Sequence, residues 1–129
     1  MTFPNDILRS DAIQWLGTSL GTDEPDILLD VLQTFLSDGA QLVDRMQSAV
    51  QEKDEQLLFR SAHTLKSSAA IIGAEQLSDA CEVVERALRR NQTIDLVESV
   101  ATITNAFSDA TKALEIEVQK LEKSMVEIK

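Results

Sequence analysis

Several residue types are scarce in this sequence. Its 129 residues include no tyrosine, one cysteine, one histidine, four glycines and two prolines. Sandwiches and barrels of many strands depend on turn residues and aromatic side chains, and both are in short supply here. Leu, Ala, Glu, Gln and Lys, which all favour helix, are abundant. The composition therefore predicts an all-α protein, and the length predicts one domain over residues 1–129.

Basic residues are also few, with 12 Lys and Arg against 22 Asp and Glu, for a net charge of −10. Such a surface repels phosphate backbones and anionic lipid, so nucleic acid and membranes are not expected partners. No apolar run approaches the roughly 18 residues of a membrane span, and the N-terminus lacks an apolar signal core. A single cysteine excludes an internal disulfide and a CxxC metal site. We therefore expect a cytoplasmic protein.

Apolar residues recur at steps of three and four along four long segments, as on one face of a helix. The segments span about 24–52, 54–72, 75–90 and 94–125, and short breaks separate them. They predict an antiparallel up-down-up-down four-helix bundle, with a short N-terminal helix at about 6–20 covering one end. The apolar stripe assigned to the last helix consists of Val97, Val100, Thr104, Phe107, Thr111, Leu114, Val118, Leu121, Met125 and Ile128.

The only histidine, His63, lies in the second of these bundle helices. At about 100° per residue, the apolar residues of this helix cluster on one face, and His63 points roughly 140° away from the centre of that face. The core-facing set is Leu58, Ala62, Leu65, Ala69 and Ile72. The geometry therefore predicts an exposed imidazole rather than a buried one.

The neighbours of His63 within two helical turns are Phe59, Lys66, Ser67 and Ala70. Phe59 lies about 100° from the buried stripe, which predicts a partly exposed ring. The small side chains of Ser67 and Ala70 leave the imidazole standing above a low surface, and Lys66 adds a cation. These features describe a docking face for a protein that carries an anion, and the plain alternative is a solvated helix face with one exposed Phe.

The run from Ala62 to Ala74 resembles the signature of histidine-containing phosphotransfer domains, which reads Ala-His-x-Leu-Lys-Gly-Ser followed by Gly-Ala a few residues later. Leu77, Cys81 and Glu85 are similar to the family's pattern in the next helix, although Cys81 by itself is predicted to be a core residue. The resemblance covers about residues 10–115. The sequence departs from the family at one position, where Ser67 replaces the usual glycine after the lysine.

The resemblance implies a phosphorelay intermediate. His63 would accept a phosphoryl group from the aspartyl phosphate of a response-regulator receiver domain and pass it to another, while Lys66 neutralises the phosphoryl group. Phe59, Ser67, Ser68 and Ala70 would contact the partner.

The same resemblance implies no cofactor or metal in this chain, because Mg²⁺ would sit in the receiver. Receiver domains and a sensor or hybrid histidine kinase are the expected partners of a monomer that has no kinase activity of its own. Motifs for nucleotide binding such as GxxxxGK[ST] are absent. The alternative is a helical adaptor that docks receivers or kinases without being phosphorylated.

Overall fold

Four helices make up the part of the chain that the computed structural model describes, which is residue 8 and residues 25–128. They are α1 (Pro25–Glu52), α2 (Glu55–Ile72), α3 (Glu75–Arg89) and α4 (Leu96–Ile128). Each helix packs against the next, and α1 also packs against α4, which closes a four-helix bundle. The all-α prediction is confirmed. The N-terminal helix predicted at 6–20 lies outside the described residues, except for Leu8, which packs against the core.

The link between α1 and α2 and the link between α2 and α3 are each only two residues long. Asp54 caps α2, because its side chain accepts a hydrogen bond from the Leu57 N–H at 3.0 Å. Gly73 ends the same helix in the left-handed region, with φ of 88°, which a residue without a Cβ adopts at little cost. Such short links reverse the chain and hold α2 directly beside α3, where the site described below is formed.

The last helix begins later and ends later than predicted, at Leu96 and Ile128 rather than near 94 and 125. The late start follows from Asp95, whose side-chain oxygen accepts the Glu98 N–H at 3.0 Å and so acts as the N-cap. None of the four helices in residues 25–128 combines the length and the apolar character that crossing a bilayer requires.

The predicted apolar stripe of α4 was partly wrong. Ile103 and Ala110 are buried although the stripe omitted them, and Val97 is exposed although the stripe included it. The physical reason is that α4 contacts both α1 and α3, so its buried face is wider than a single stripe. The largest fully buried apolar side chains of the bundle are Leu32, Met46, Leu58, Leu65, Leu77, Ile103 and Leu114.

Helices α1 and α4 approach closely at Gly39. A Cβ at this position would lie 2.5 Å from Cε1 of Phe107, so the ring occupies the space that any other residue would need. The Phe107 ring also packs against Phe35, with ring centroids 6.1 Å apart. The seam is apolar around Gly39, in contrast to the seam between α2 and α3, and a hydrogen bond from Gln47 Nε2 to Thr104 Oγ1 at 3.2 Å crosses its exposed edge.

Candidate functional site

His63 lies on the outer face of α2, and its side chain is 57% exposed. The predicted orientation away from the core is therefore confirmed. The exposure results from the helical phase, because its helix neighbours Ala62 and Leu65 are fully buried. The imidazole is open to solvent on one side and in contact with α3 on the other.

The contact with α3 is made by Glu85, whose Oε1 lies 2.8 Å from His63 Nδ1. Glu85 is completely buried. The same Oε1 accepts a hydrogen bond from Arg89 at 2.5 Å, and Oε2 lies 2.6 Å from Lys66 Nζ. One buried carboxylate thus joins the histidine to two cations, as a buried charge requires.

These contacts determine the ionisation of Glu85. Burial acts to raise the pKa of its carboxyl group, but the hydrogen bonds from Lys66 and His63 outweigh burial, and the pKa falls below its ordinary value. Glu85 is therefore a carboxylate near neutral pH, and a carboxylate only accepts hydrogen bonds. The proton in the contact with His63 must then belong to Nδ1, and in the neutral form of the ring this leaves the lone pair on Nε2.

Lys66 bridges two carboxylates of α3. Its Nζ donates to Glu82 Oε2 at 2.9 Å in addition to its contact with Glu85. Hydrogen bonding to Glu85, and then to Glu82, raises the pKa of Lys66 above its ordinary value, so the ammonium is fully charged. Lys66 also lowers the pKa of Glu82. The cation predicted one turn from His63 is thus held within the site rather than free in solvent.

Phe59 is half-buried, in agreement with the expectation of a partly exposed ring. Its ring lies nearly parallel to the imidazole of His63, at 6° and with centroids 6.3 Å apart. The guanidinium of Arg89 lies 5.8 Å from the centroid of the same ring, within the range of a cation–π contact. Phe59 therefore supports both His63 and Arg89 from the side opposite Lys66 along α2.

The three small residues predicted to line the site divide between two places. Ser67 and Ala70 are exposed on the helix face that carries His63. The Ser67 hydroxyl donates to the backbone oxygen of His63 at 3.3 Å, which keeps its side chain close to the helix. Ser68 instead lines an apolar groove between α1 and α2, beside Gly39 and Ile71.

Sequence reasoning assigned no role to Glu85, although it is the centre of the site. A signal was present, because Glu85 follows Cys81 by four residues and so falls on the apolar face of α3. An acidic residue on a buried face needs a positively charged or donating partner. Arg89, one turn further along α3, supplies one such partner.

Cys81 is completely buried, as predicted, and burial raises the pKa of its thiol to about 12. It is therefore a core residue without thiolate chemistry. Among residues 25–128, no three His, Cys, Asp or Glu side chains are arranged to hold a metal ion.

Comparison with known proteins identifies the family. The family model described as the Hpt domain matches residues 30–124. The phosphorelay protein LuxU of Vibrio harveyi is 29% identical over 89 residues, which cover 67% of this chain and 74% of LuxU.

Two crystal structures share the fold. Histidine-containing phosphotransfer protein B of Pseudomonas aeruginosa PAO1 superposes with a TM-score of 0.82 at 21% identity, covering 91% of this chain and 98% of that one. The Hpt domain of a sensor hybrid histidine kinase from Shewanella gives 0.67 at 18% identity, with 93% and 97% covered. Together with the match to the Hpt family model, these findings show that the chain belongs to the Hpt family, the histidine phosphotransfer proteins of two-component signalling.

Proposed function

We propose that His63 is the phosphorylated residue of this Hpt protein, and that Nε2 of its ring accepts the phosphoryl group from an aspartyl phosphate of a receiver domain. The observation that carries the proposal is the contact between His63 Nδ1 and the buried carboxylate of Glu85 in a side chain that is 57% exposed. One nitrogen is fixed by the protein, and the other remains accessible.

The transfer needs only a lone pair and an accessible approach. The Nε2 lone pair attacks phosphorus, the bond between phosphorus and the aspartyl oxygen breaks, and its electron pair leaves with the aspartate carboxylate. Delivery to a second receiver is the reverse step, in which an aspartate oxygen attacks phosphorus and the electron pair of the N–P bond returns to Nε2. Mg²⁺ would be held by the receiver.

Lys66 and Arg89 supply positive charge beside the phosphoryl group. Lys66 Nζ is held by Glu82 and Glu85 one turn along α2 from His63, and Arg89 is held by Glu85 and the face of Phe59. Charge that is already in position stabilises the phosphoryl oxygens without the cost of reorganising the site. Phe59, Ser67 and Ala70 would form the surface around His63 that the receiver covers.

Phosphotransfer through His63 implies the partners and the cellular setting of the protein. The partners are response-regulator receiver domains and, upstream of them, a sensor or hybrid histidine kinase. The protein acts as a monomer of one domain in the cytoplasm, and it has no kinase activity of its own.

The test is transfer from a receiver domain that carries ³²P on its aspartate. We expect label on this chain that, after denaturation, is lost in acid and kept in base, as for a phosphohistidine. His63→Gln should remain folded, because glutamine retains an N–H donor for Glu85, and it should acquire no label. Label on His63→Gln would contradict the proposal. Binding of the receiver without any label on the parent protein would instead support the adaptor alternative.

A further inference from the structure

The buried carboxylate of Glu85 contacts Nδ1 of His63, the ring nitrogen other than the one that would carry the phosphoryl group. We propose that Glu85 is a positioning residue that retains the proton on Nδ1 of His63 after phosphorylation, so that the N–P bond stays labile and transfer in both directions needs no proton movement. This inference rests on the proposed function of His63.

The chemical reason lies in the leaving group. When a receiver aspartate attacks the phosphorus, the electron pair of the N–P bond returns to Nε2. If Nδ1 still carries its proton, the ring leaves as neutral imidazole, whereas a ring that has lost this proton would have to leave as an imidazolate anion. The first route is far more favourable, so the lability of phosphohistidine depends on the state of the second nitrogen.

Glu85 is well placed to keep this proton. Its Oε1 lies 2.8 Å from Nδ1, and the carboxylate is completely buried, so water does not compete for the bond. A carboxylate stabilises a protonated ring more strongly than a neutral acceptor does, because the pair is opposite in charge. The lowered pKa of Glu85 keeps it ionised across the range in which the transfer would run.

The other charged groups near the imidazole leave this effect in place. They come from both helices of the site: Lys66 of α2, and Glu82, Glu85 and Arg89 of α3, with Arg86 of α3 acting on Glu82. Lys66 and Arg89 balance the charges of the two carboxylates, so their network is neutral before transfer. The incoming phosphoryl group then adds negative charge on the far side of the ring, which further favours the protonated imidazole.

The neighbouring carboxylate provides a matched control. Glu82 pairs with Lys66 at 2.9 Å, as Glu85 does at 2.6 Å, but Glu85 alone of the two contacts His63. The substitutions Glu85→Gln and Glu82→Gln therefore remove the same charge from the same lysine. Only the first removes the carboxylate from Nδ1.

The experiment phosphorylates the parent protein and both variants with phosphoramidate, which requires no receiver, and follows hydrolysis of the phosphohistidine from pH 5 to pH 10. The N–P bond should remain labile to higher pH in the folded parent than in folded Glu85→Gln, and the midpoint of the pH profile should differ by at least about one pH unit. Glu82→Gln should follow the pH profile of the parent, although its absolute rate is free to change. Coincident profiles for the parent and Glu85→Gln would overturn the inference.

A second comparison needs no variant and covers the case in which Glu85→Gln fails to fold. Denaturing the phosphorylated parent separates Glu85 from His63. Hydrolysis of the N–P bond should therefore become slow at a lower pH in the denatured protein than in the folded protein. Identical profiles for the two states would also overturn the inference. Failure of the proposed function would look different, because a receiver would then neither donate nor accept the phosphoryl group whatever the hydrolysis profiles show.

Discussion

The two halves of the bundle are built differently. Helices α1 and α4 are long, with 28 and 33 residues, and they meet at an apolar seam where Gly39 admits the Phe107 ring. Helices α2 and α3 have 18 and 15 residues, and their seam contains the buried carboxylate of Glu85. The first half contributes packing to the fold, and the second half contains the proposed phosphotransfer site.

The difference shows where this fold accepts an unfavourable contribution to its free energy of folding. A buried carboxylate loses its hydration, and ion pairing often does no more than offset that loss. In the α2–α3 seam three donors surround Glu85, and one of them is the histidine that the proposal makes the nucleophile. The charge network is better explained by positioning of His63 than by stability, and the α1–α4 seam needs no such network.

The largest expected effect on stability lies in the apolar half. Gly39→Leu should lower the free energy of unfolding by about 1–3 kcal/mol, because the new side chain must displace the Phe107 ring. Chemical denaturation measures the change, and Ala40→Leu at the exposed neighbour should alter it by less than about 0.5 kcal/mol. The rate of phosphotransfer per folded molecule should be unchanged. A slower rate in folded Gly39→Leu would contradict the claim that the α1–α4 half contributes packing alone.

In the charged half, Lys66→Ala should slow phosphotransfer about tenfold or more, because Glu82 and Glu85 then face the phosphoryl group without their shared cation. The rate should be measured at fixed receiver concentration in low and moderate salt, and the defect should be larger in low salt. Lys112→Ala, at an exposed lysine of α4, is the control. Equal rates for the parent and Lys66→Ala at both salt concentrations would remove Lys66 from the mechanism.

Phe59 and Phe107 allow the same substitution to be made in both halves, since each ring is half-buried. Phe59→Ala should weaken receiver binding by roughly 1 kcal/mol or more with little change in melting temperature, because the ring borders His63 and Arg89. Phe107→Ala should lower the melting temperature and leave binding unchanged. Titration with a receiver measures binding, and thermal melts measure stability. A loss of stability in Phe59→Ala together with a loss of binding in Phe107→Ala would contradict the comparison.

The smallest effect is expected at Ser67, where the family usually has glycine. Ser67→Gly should melt slightly lower, since glycine costs up to about 1 kcal/mol within a helix, and it should transfer as fast as the parent or faster. Ser67→Ala separates the two causes, because it removes only the hydroxyl that bonds the backbone oxygen of His63. Slower transfer by both folded variants would assign the hydroxyl a role in transfer.

Periodicity was sufficient to predict the architecture and the exposure of His63. The bounds of α2 and α3 were predicted to within one residue, because Asp54 and Gly73 are strong local signals on either side of α2. The burial of Glu85 had a local signal, but its contacts with His63 and Lys66 were not predicted, because contacts between side chains of different helices depend on the rotation and depth of each helix, which one sequence does not encode locally. The widened buried face of α4 was missed for the same reason.

The central claim is that Nε2 of His63 carries the phosphoryl group because Glu85 holds Nδ1. It is tested most directly by ¹⁵N and ³¹P NMR of the protein labelled at its single histidine. The account predicts a proton on Nδ1 and a free Nε2 before transfer, and coupling between phosphorus and Nε2 afterwards. Phosphorus bound to Nδ1, or a ring that carries its proton on Nε2 before transfer, would contradict it.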